Sequence, residues 1–236
     1  MNEQPNTPMM RSGGSTSIIQ TWINALTKPN EQTFADMAAS PNAKASTAFL
    51  WVFVGALVNF FFASLVQGPL MRQYLQQSGF GDQFGNGLGG GLVTAICGAP
   101  IAAAIGVLFF AIFAGVVQWL ARMFGGRGTF DQLAYALAAI TVPFTLLNSI
   151  FTLLAAIPLV GLCFGIVSLL AGLYVLVLEV MAVKGVNQFG WGQAIGSLFL
   201  PGLVLACCLF VAVFSLMSVL APRIGEIFST INQTLP

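Results

Sequence analysis

The chain has 236 residues, of which 57% are hydrophobic and 6% are charged, and its formal net charge is +1. Soluble domains carry about 25% charged residues, so this composition excludes an ordinary soluble protein, and the low net charge argues against a nucleic-acid partner. The sequence has no histidine, which removes Ser-His-Asp and Cys-His catalysis and histidine-ligated metal sites. We therefore predict no catalytic residue, no cofactor and no metal.

The first 46 residues divide into a polar tail and two short helices. Residues 1–16 are rich in Asn, Pro, Gly and Ser, which predicts disorder. In the segment 17–27, at about 100° per residue, the apolar side chains fall on one arc: Ile18, Ile19, Trp22, Ile23 and Leu26. We expect this amphipathic helix and a second one at 31–40 to lie on the membrane surface, with Trp22 as an anchor at headgroup depth. The alternative is that the two helices pack on each other in the cytosol.

Five apolar segments follow, and each is long enough to cross a hydrocarbon layer of ~30 Å, which takes about 20 residues. They cover residues 47–67, 92–120, 131–157, 159–184 and 194–220. The third and fourth come from 47 uncharged positions between Asp131 and Glu179, with a turn at Pro158 and Gly161. The pattern predicts an all-α polytopic protein, a bundle of five transmembrane helices at 47–220. A Gly-rich loop at 68–91 separates the first two spans, and a short tail at 221–236 ends the chain.

Small residues recur in the second span at four-residue spacing, at Gly98, Ala102 and Gly106. This pattern lets neighbouring helices approach closely. The neighbour is either another span of the same chain, which we favour, or a second copy in a homo-oligomer. In the third span Pro143 removes one backbone donor, so we expect the helix to bend or loosen there.

A polar stripe runs along the third span, within about 60° on a helical wheel. It consists of Thr141, Thr145, Asn148 and Thr152. The fourth span has a face of small residues, Gly165, Ser168 and Gly172, which continues to Glu179. We expect the polar stripe of the third span to pack against the small-residue face of the fourth span. The alternative is that the stripe lines a hydrated path.

Glu179 is the one ionisable group within the spans that needs an explanation, because carboxylates in membranes are functional candidates. Lys184 lies five residues later, about 140° around the helix, so the two pair poorly. We expect the partner to be Arg122, Arg127 or a lipid headgroup. The resulting charged cluster would position the loops or meet a partner.

Basic residues set the expected orientation. With five spans, one side of the membrane carries six of them and the other carries Arg72 and Arg223. Because basic loops stay in the cytoplasm, the N-terminus is expected there and the C-terminus outside. In a prokaryote the membrane would be the plasma (inner) membrane.

Two stretches resemble the Ypt-interacting-protein (Yip) domain family. The first is W-x-x-A-L-T-x-P at 22–29, followed by Thr33-Phe34. The second is GGRGTFDQLAYALAAITVP at 125–143, a Gly-rich turn followed by a helix that reaches a proline. The later turn at Pro158, Tyr174 and the Gln193-Ala194 entry to the last span are also similar, so the resemblance covers about residues 20–220.

The resemblance implies a five-helix integral membrane protein with a cytosolic N-terminus. Eukaryotic members bind Rab-type GTPases and act in vesicle transport between ER and Golgi. Their Asp-Leu-Tyr-Gly-Pro motif is absent from this sequence, which is more similar to the prokaryotic branch. We expect a non-catalytic protein of membrane organisation or a trafficking-type adaptor. Its expected partners are the lipid bilayer, a membrane or cytoplasmic protein, or a second copy. The alternative function is a small transporter or channel that uses the stripe of the third span.

Overall fold

A computed structural model of the chain describes residues 17–77, 91–155 and 160–234, and these residues are helical apart from short connections. The helices are α1 (Ile18–Thr27), α2 (Glu31–Ala38), α3 (Ala45–Gln77), α4 (Gly91–Met123), α5 (Phe130–Ala155), α6 (Val160–Asn187) and α7 (Trp191–Thr234). The all-α prediction is confirmed. The predicted tail at 1–16, positions 78–90 of the predicted loop and the turn residues 156–159 lie outside the described residues.

Within the described residues, four helices are long and apolar enough to cross a membrane. They cover Ala45–Ser64, Ile96–Met123, Phe130–Leu154 and Phe164–Asn187, and each overlaps one of the first four predicted spans. The fifth predicted span, 194–220, lies inside α7.

Two helices are longer than predicted. α7 does not end near residue 220 but continues through Pro222 to Thr234, so most of the predicted tail is helical. A proline removes one helical hydrogen bond and does not by itself end a helix. α3 likewise continues to Gln77 through part of the predicted loop, where Leu, Met, Arg and Gln favour the helix.

The five long helices form a closed ring. α3 packs on α4 and α5, α5 packs on α6, and α7 joins α6 to α4, which gives the order α3, α4, α7, α6, α5. Glycines lie at two of these contacts: a Cβ placed on Gly55 would lie 3.2 Å from Val142 Cγ1, and one on Gly106 would lie 3.6 Å from Ala56 Cβ. Gly106 therefore faces another span of the same chain, which is the alternative that we favoured for this helix.

α5 contacts five of the six other helices. Every residue from Leu133 to Ile140 is buried, because α1, α2, α3, α4 and α6 all pack on this helix. Its alanines let these neighbours approach on every side. The helix runs through Pro143 and ends at Ala155.

The two N-terminal helices pack at one end of the ring, which is called here the loop end. It carries the start of α3, the 124–129 loop between α4 and α5, and the 188–190 loop between α6 and α7. α1 packs on α5 at this end, and α2 packs on α5 and α6. Both short helices have N-cap side chains: Ser17 accepts a hydrogen bond from the Gln20 N–H, and Asn30 accepts one from the Gln32 N–H.

Candidate functional site at the loop end

Two buried amide side chains hold the 124–129 loop against the end of α6. Asn187 is fully buried, and its Oδ1 accepts hydrogen bonds from Gln118 Nε2 at 3.0 Å and from the Gly128 N–H at 3.2 Å. Gln118 Nε2 also donates to the Gly128 carbonyl at 2.7 Å, and Asn187 Nδ2 donates to the Val183 carbonyl at 3.0 Å. Because the two amides form hydrogen bonds with each other and with the backbone, their burial avoids the free-energy cost of an unpaired polar group.

The glycines of the 124–129 loop are required by this contact. Gly125 has φ +88°, a left-handed conformation that favours glycine. A Cβ on Gly126 would lie 2.7 Å from Asn187 Oδ1, and one on Gly128 would lie 2.7 Å from Val186 Cγ1. The Gly-rich turn that carries the family resemblance is thus a close-packing device.

The same loop starts α5 with a capping box. The Thr129 N–H donates to Gln132 Oε1 at 3.0 Å, and the Gln132 N–H donates to Thr129 Oγ1 at 3.3 Å. Asp131, which lies between these two residues, accepts a hydrogen bond from the Ala45 N–H at 3.2 Å and so caps the first turn of α3. The T-F-D-Q sequence therefore joins the starts of two spanning helices.

α2 packs directly on α6 at Gly185. A Cβ on this glycine would lie 2.6 Å from the Glu31 carbonyl oxygen and 3.1 Å from Phe34 Cβ. Phe34 is fully buried, and Lys184 forms an ion pair with Glu31 while its Nζ lies 4.1 Å from the centroid of the Trp191 ring. One cation therefore contacts both α2 and the start of α7.

α1 is attached through one edge and exposes much of its apolar arc. Thr21 and Ala25 are buried, and the Trp22 ring lies 5.6 Å from the Trp51 ring, centroid to centroid, in an edge-to-face arrangement. The Tyr174 hydroxyl donates to the Leu26 carbonyl at 2.7 Å. Ile18, Ile19 and Ile23 are exposed. The predicted anchor, Trp22, is therefore packed partly inside the protein, and isoleucines form the exposed apolar surface of α1.

The structure does not bring the predicted charged cluster together. Among the described residues no carboxylate lies within 4.0 Å of Arg122 or Arg127, and both arginines are exposed. Glu179 is half-buried in α6, about 12 Å before the end of that helix. The ion pair that the structure shows is Lys184–Glu31, a long-range contact that spacing along α6 could not reveal.

The polar stripe of α5 is satisfied largely within its own helix. The hydroxyls of Thr141, Thr145 and Thr152 each donate to the carbonyl four residues earlier, at 2.7 to 2.9 Å. The hydrogen bond that leaves this side of α5 joins Asn59 Nδ2 of α3 to Ser149 Oγ at 3.0 Å. Ser149 was missed from the sequence, although it follows Thr145 by one helical turn.

The small-residue face of α6 is not the contact surface that we predicted. A Cβ on Gly165 or Gly172 would meet no atom of the described residues within 4 Å. The buried face in the middle of α6 holds Val175, Leu178 and Ala182 and lies roughly 90° around the helix from the two glycines. Near the end of the helix, Val180, Val183 and Val186 are buried as well. Ser168 lies nearer the buried face and is half-buried.

A cavity of about 180 Å³ opens at the loop end, between α2, the end of α6 and the 124–129 loop. Its lining residues are Ala35, Ala38 and Ala39 in and just after α2, Gly185 and Val186 near the end of α6, and Arg127, Gln132 and Gln188. The described residues contain no group of three or more His, Cys, Asp or Glu side chains that could hold a metal.

The fold and the loop end define a polytopic helical membrane protein whose N-terminal helices are docked on one end of its spanning bundle. The chain belongs to the Yip1 domain family, whose model matches residues 23–213. The match begins inside α1 and ends inside α7, so it includes the docked helices, the Gly-rich loop and the ring. Comparisons with curated proteins and with solved structures gave no significant match.

Proposed function

We propose that this protein is a non-catalytic membrane organiser or trafficking-type adaptor that presents α1 within one leaflet. The observation that carries the proposal is the attachment of α1: one edge is fixed to the bundle, and Ile18, Ile19 and Ile23 remain exposed. An interfacial helix buries its apolar face at the boundary between headgroups and acyl chains. Membership of the Yip1 domain family also supports a role in membrane traffic.

The position of α1 supports contact with lipid rather than with water. α1 contacts Trp51 near the start of α3 through Trp22, and its Leu26 carbonyl accepts a hydrogen bond from Tyr174 inside α6. Both partners belong to segments apolar enough to span the membrane, and Leu50 and Val54 of α3 are exposed in the same part of the chain. The exposed isoleucines therefore belong to a surface that lipid covers at the end of the spans.

Photo-crosslinking in native membranes tests the placement of α1. A photoreactive residue at Ile19 should label acyl chains, whereas the matched position Gln32, exposed and polar on α2, should not. Labelled proteins at Ile19 would name partners of the adaptor. If neither position labels lipid, α1 does not lie in the membrane and the proposal fails.

We further propose that the loop end faces the cytoplasm. Lys28, Lys44, Arg122, Arg127 and Lys184 all belong to this end. Short basic segments next to spans are retained on the cytoplasmic side. Reporter fusions at Ser12 and Thr234 should report opposite sides, and a shared side would contradict five crossings.

The transporter alternative is less well supported, because the threonines of the stripe already donate within α5. Purified protein in sealed vesicles distinguishes the two functions. Saturable solute flux that is lost in Glu179→Gln or Asn148→Leu would establish a transporter. For an organiser, flux should stay at the background level in the wild-type protein and in both variants.

A further inference from the structure

We infer that the cavity at the loop end binds the phosphate group of an anionic phospholipid, whose headgroup carries one negative charge and no compensating ammonium. The inference does not depend on the role of α1, because the cavity is formed by α2, α6 and the 124–129 loop. Its lining includes one cationic residue, Arg127, and no acidic residue. A guanidinium matches phosphate oxygens in both charge and geometry.

The polar groups around Arg127 are held in place and keep donors available. The Arg127 N–H donates to the Asn187 carbonyl at 3.2 Å, which fixes the backbone of this residue against α6. Gln132 accepts the Thr129 N–H through its oxygen, which leaves its Nε2 hydrogens as donors. An anion in the cavity could therefore meet a cation and an amide donor together.

Gln188 provides a second amide side chain near the cavity, and its backbone has an unfavourable conformation. Its φ is +54°, where a helix normally ends in glycine or asparagine. A left-handed conformation costs other residues about 1–2 kcal/mol. A glutamine in this place, beside the cavity, is consistent with a role for its side chain in binding.

Depth and size favour a headgroup phosphate over a whole small molecule. Arg127 lies in the short connection between two spanning segments, Ile96–Met123 and Phe130–Leu154, so it sits at the level of the headgroups. Cavities that enclose drug-sized ligands have volumes of about 300–1,000 Å³. The volume of about 180 Å³ suits a phosphate group, with the acyl chains outside.

The test uses the full chain in nanodiscs of equal phosphatidylcholine and phosphatidylglycerol, followed by native mass spectrometry of retained lipid. The wild-type protein should retain phosphatidylglycerol preferentially. Arg127→Gln should lower its occupancy about tenfold or more, because hydrogen bonds to a charged group contribute about 1.5–3 kcal/mol. Arg122→Gln, which removes an exposed arginine outside the cavity lining, should leave the occupancy unchanged.

A second variant tests whether lipid binding depends on the cavity itself or only on the charge of the protein surface. Ala39 is exposed and lines the cavity, so Ala39→Leu should block binding with every charge retained and the fold intact. Displacement of the lipid by millimolar inorganic phosphate would support the site and assign it to soluble phosphate. Equal losses in Arg127→Gln and Arg122→Gln, or retention without preference for the anionic lipid, would overturn the inference.

Discussion

The contact between α2 and Gly185 offers the sharpest test of the docked arrangement. In Gly185→Ala the new Cβ would lie 2.6 Å from the Glu31 carbonyl oxygen, so α2 must move by roughly 0.8 Å to reach an ordinary contact of 3.4 Å. Overpacking of this kind costs about 1–3 kcal/mol. Alanine also favours the α6 helix by about 1 kcal/mol relative to glycine, so global stability should change little while α2 is pushed away.

Hydrogen exchange of the α2 amides measures this local effect. A docking free energy reduced by about 1–3 kcal/mol should accelerate their exchange roughly 5- to 150-fold, because these amides exchange through local opening. Gly172→Ala is the matched control, since the same helix gains the same residue at a position where a Cβ meets no described atom within 4 Å. Unchanged α2 exchange in Gly185→Ala, or equal acceleration in both variants, would refute the reasoning.

Three further experiments, with four substitutions, test other contacts. Asn187→Ala should lower the free energy of unfolding by about 2–3 kcal/mol, measured by thermal unfolding in detergent, because its buried amide and backbone partners lose their hydrogen bonds. Lys184→Met keeps the side-chain stem and removes the ion pair with the half-exposed Glu31, so α2 exchange should rise only a few-fold, consistent with less than about 1 kcal/mol. Asn59→Leu and Ser149→Ala should be non-additive by about 0.6 kcal/mol in a double-mutant cycle, the average for such pairs in membranes, and strict additivity would contradict the bond between them.

The existence and approximate limits of the helices could be predicted because long uncharged segments have few alternatives in a membrane. The face of each spanning helix that points into the bundle could not be predicted in the same way. α6 is apolar all round, so no periodicity separates the buried Val175 and Leu178 from exposed Leu169 and Leu173. Small residues were therefore taken as the contact, and the structure uses larger aliphatic side chains instead.

The contacts at the loop end could not be predicted from the sequence for a different reason. Glu31 and Lys184 are separated by 153 positions, and Trp22 meets a tryptophan of another helix. Local patterns predict which segments are helices and which surfaces are apolar, but not which distant surface an amphipathic helix selects. Gly185 and Asn187 gave only weak signals, a glycine and an amide at the end of an apolar run.

The docking of α2 on α6 has a consequence for biosynthesis. The N-terminal helices leave the ribosome first, yet their contact surface includes Lys184 and Gly185, near the end of the fourth span. At about 5–20 residues per second, the 153 positions between Glu31 and Lys184 take on the order of ten seconds to synthesise. During that interval α6 does not yet exist, so α1 and α2 cannot pack on it. The membrane surface is then the nearest apolar environment in which the isoleucines of α1 can be buried. Completion of the fourth span is then the event that lets the start of the chain settle into its final position.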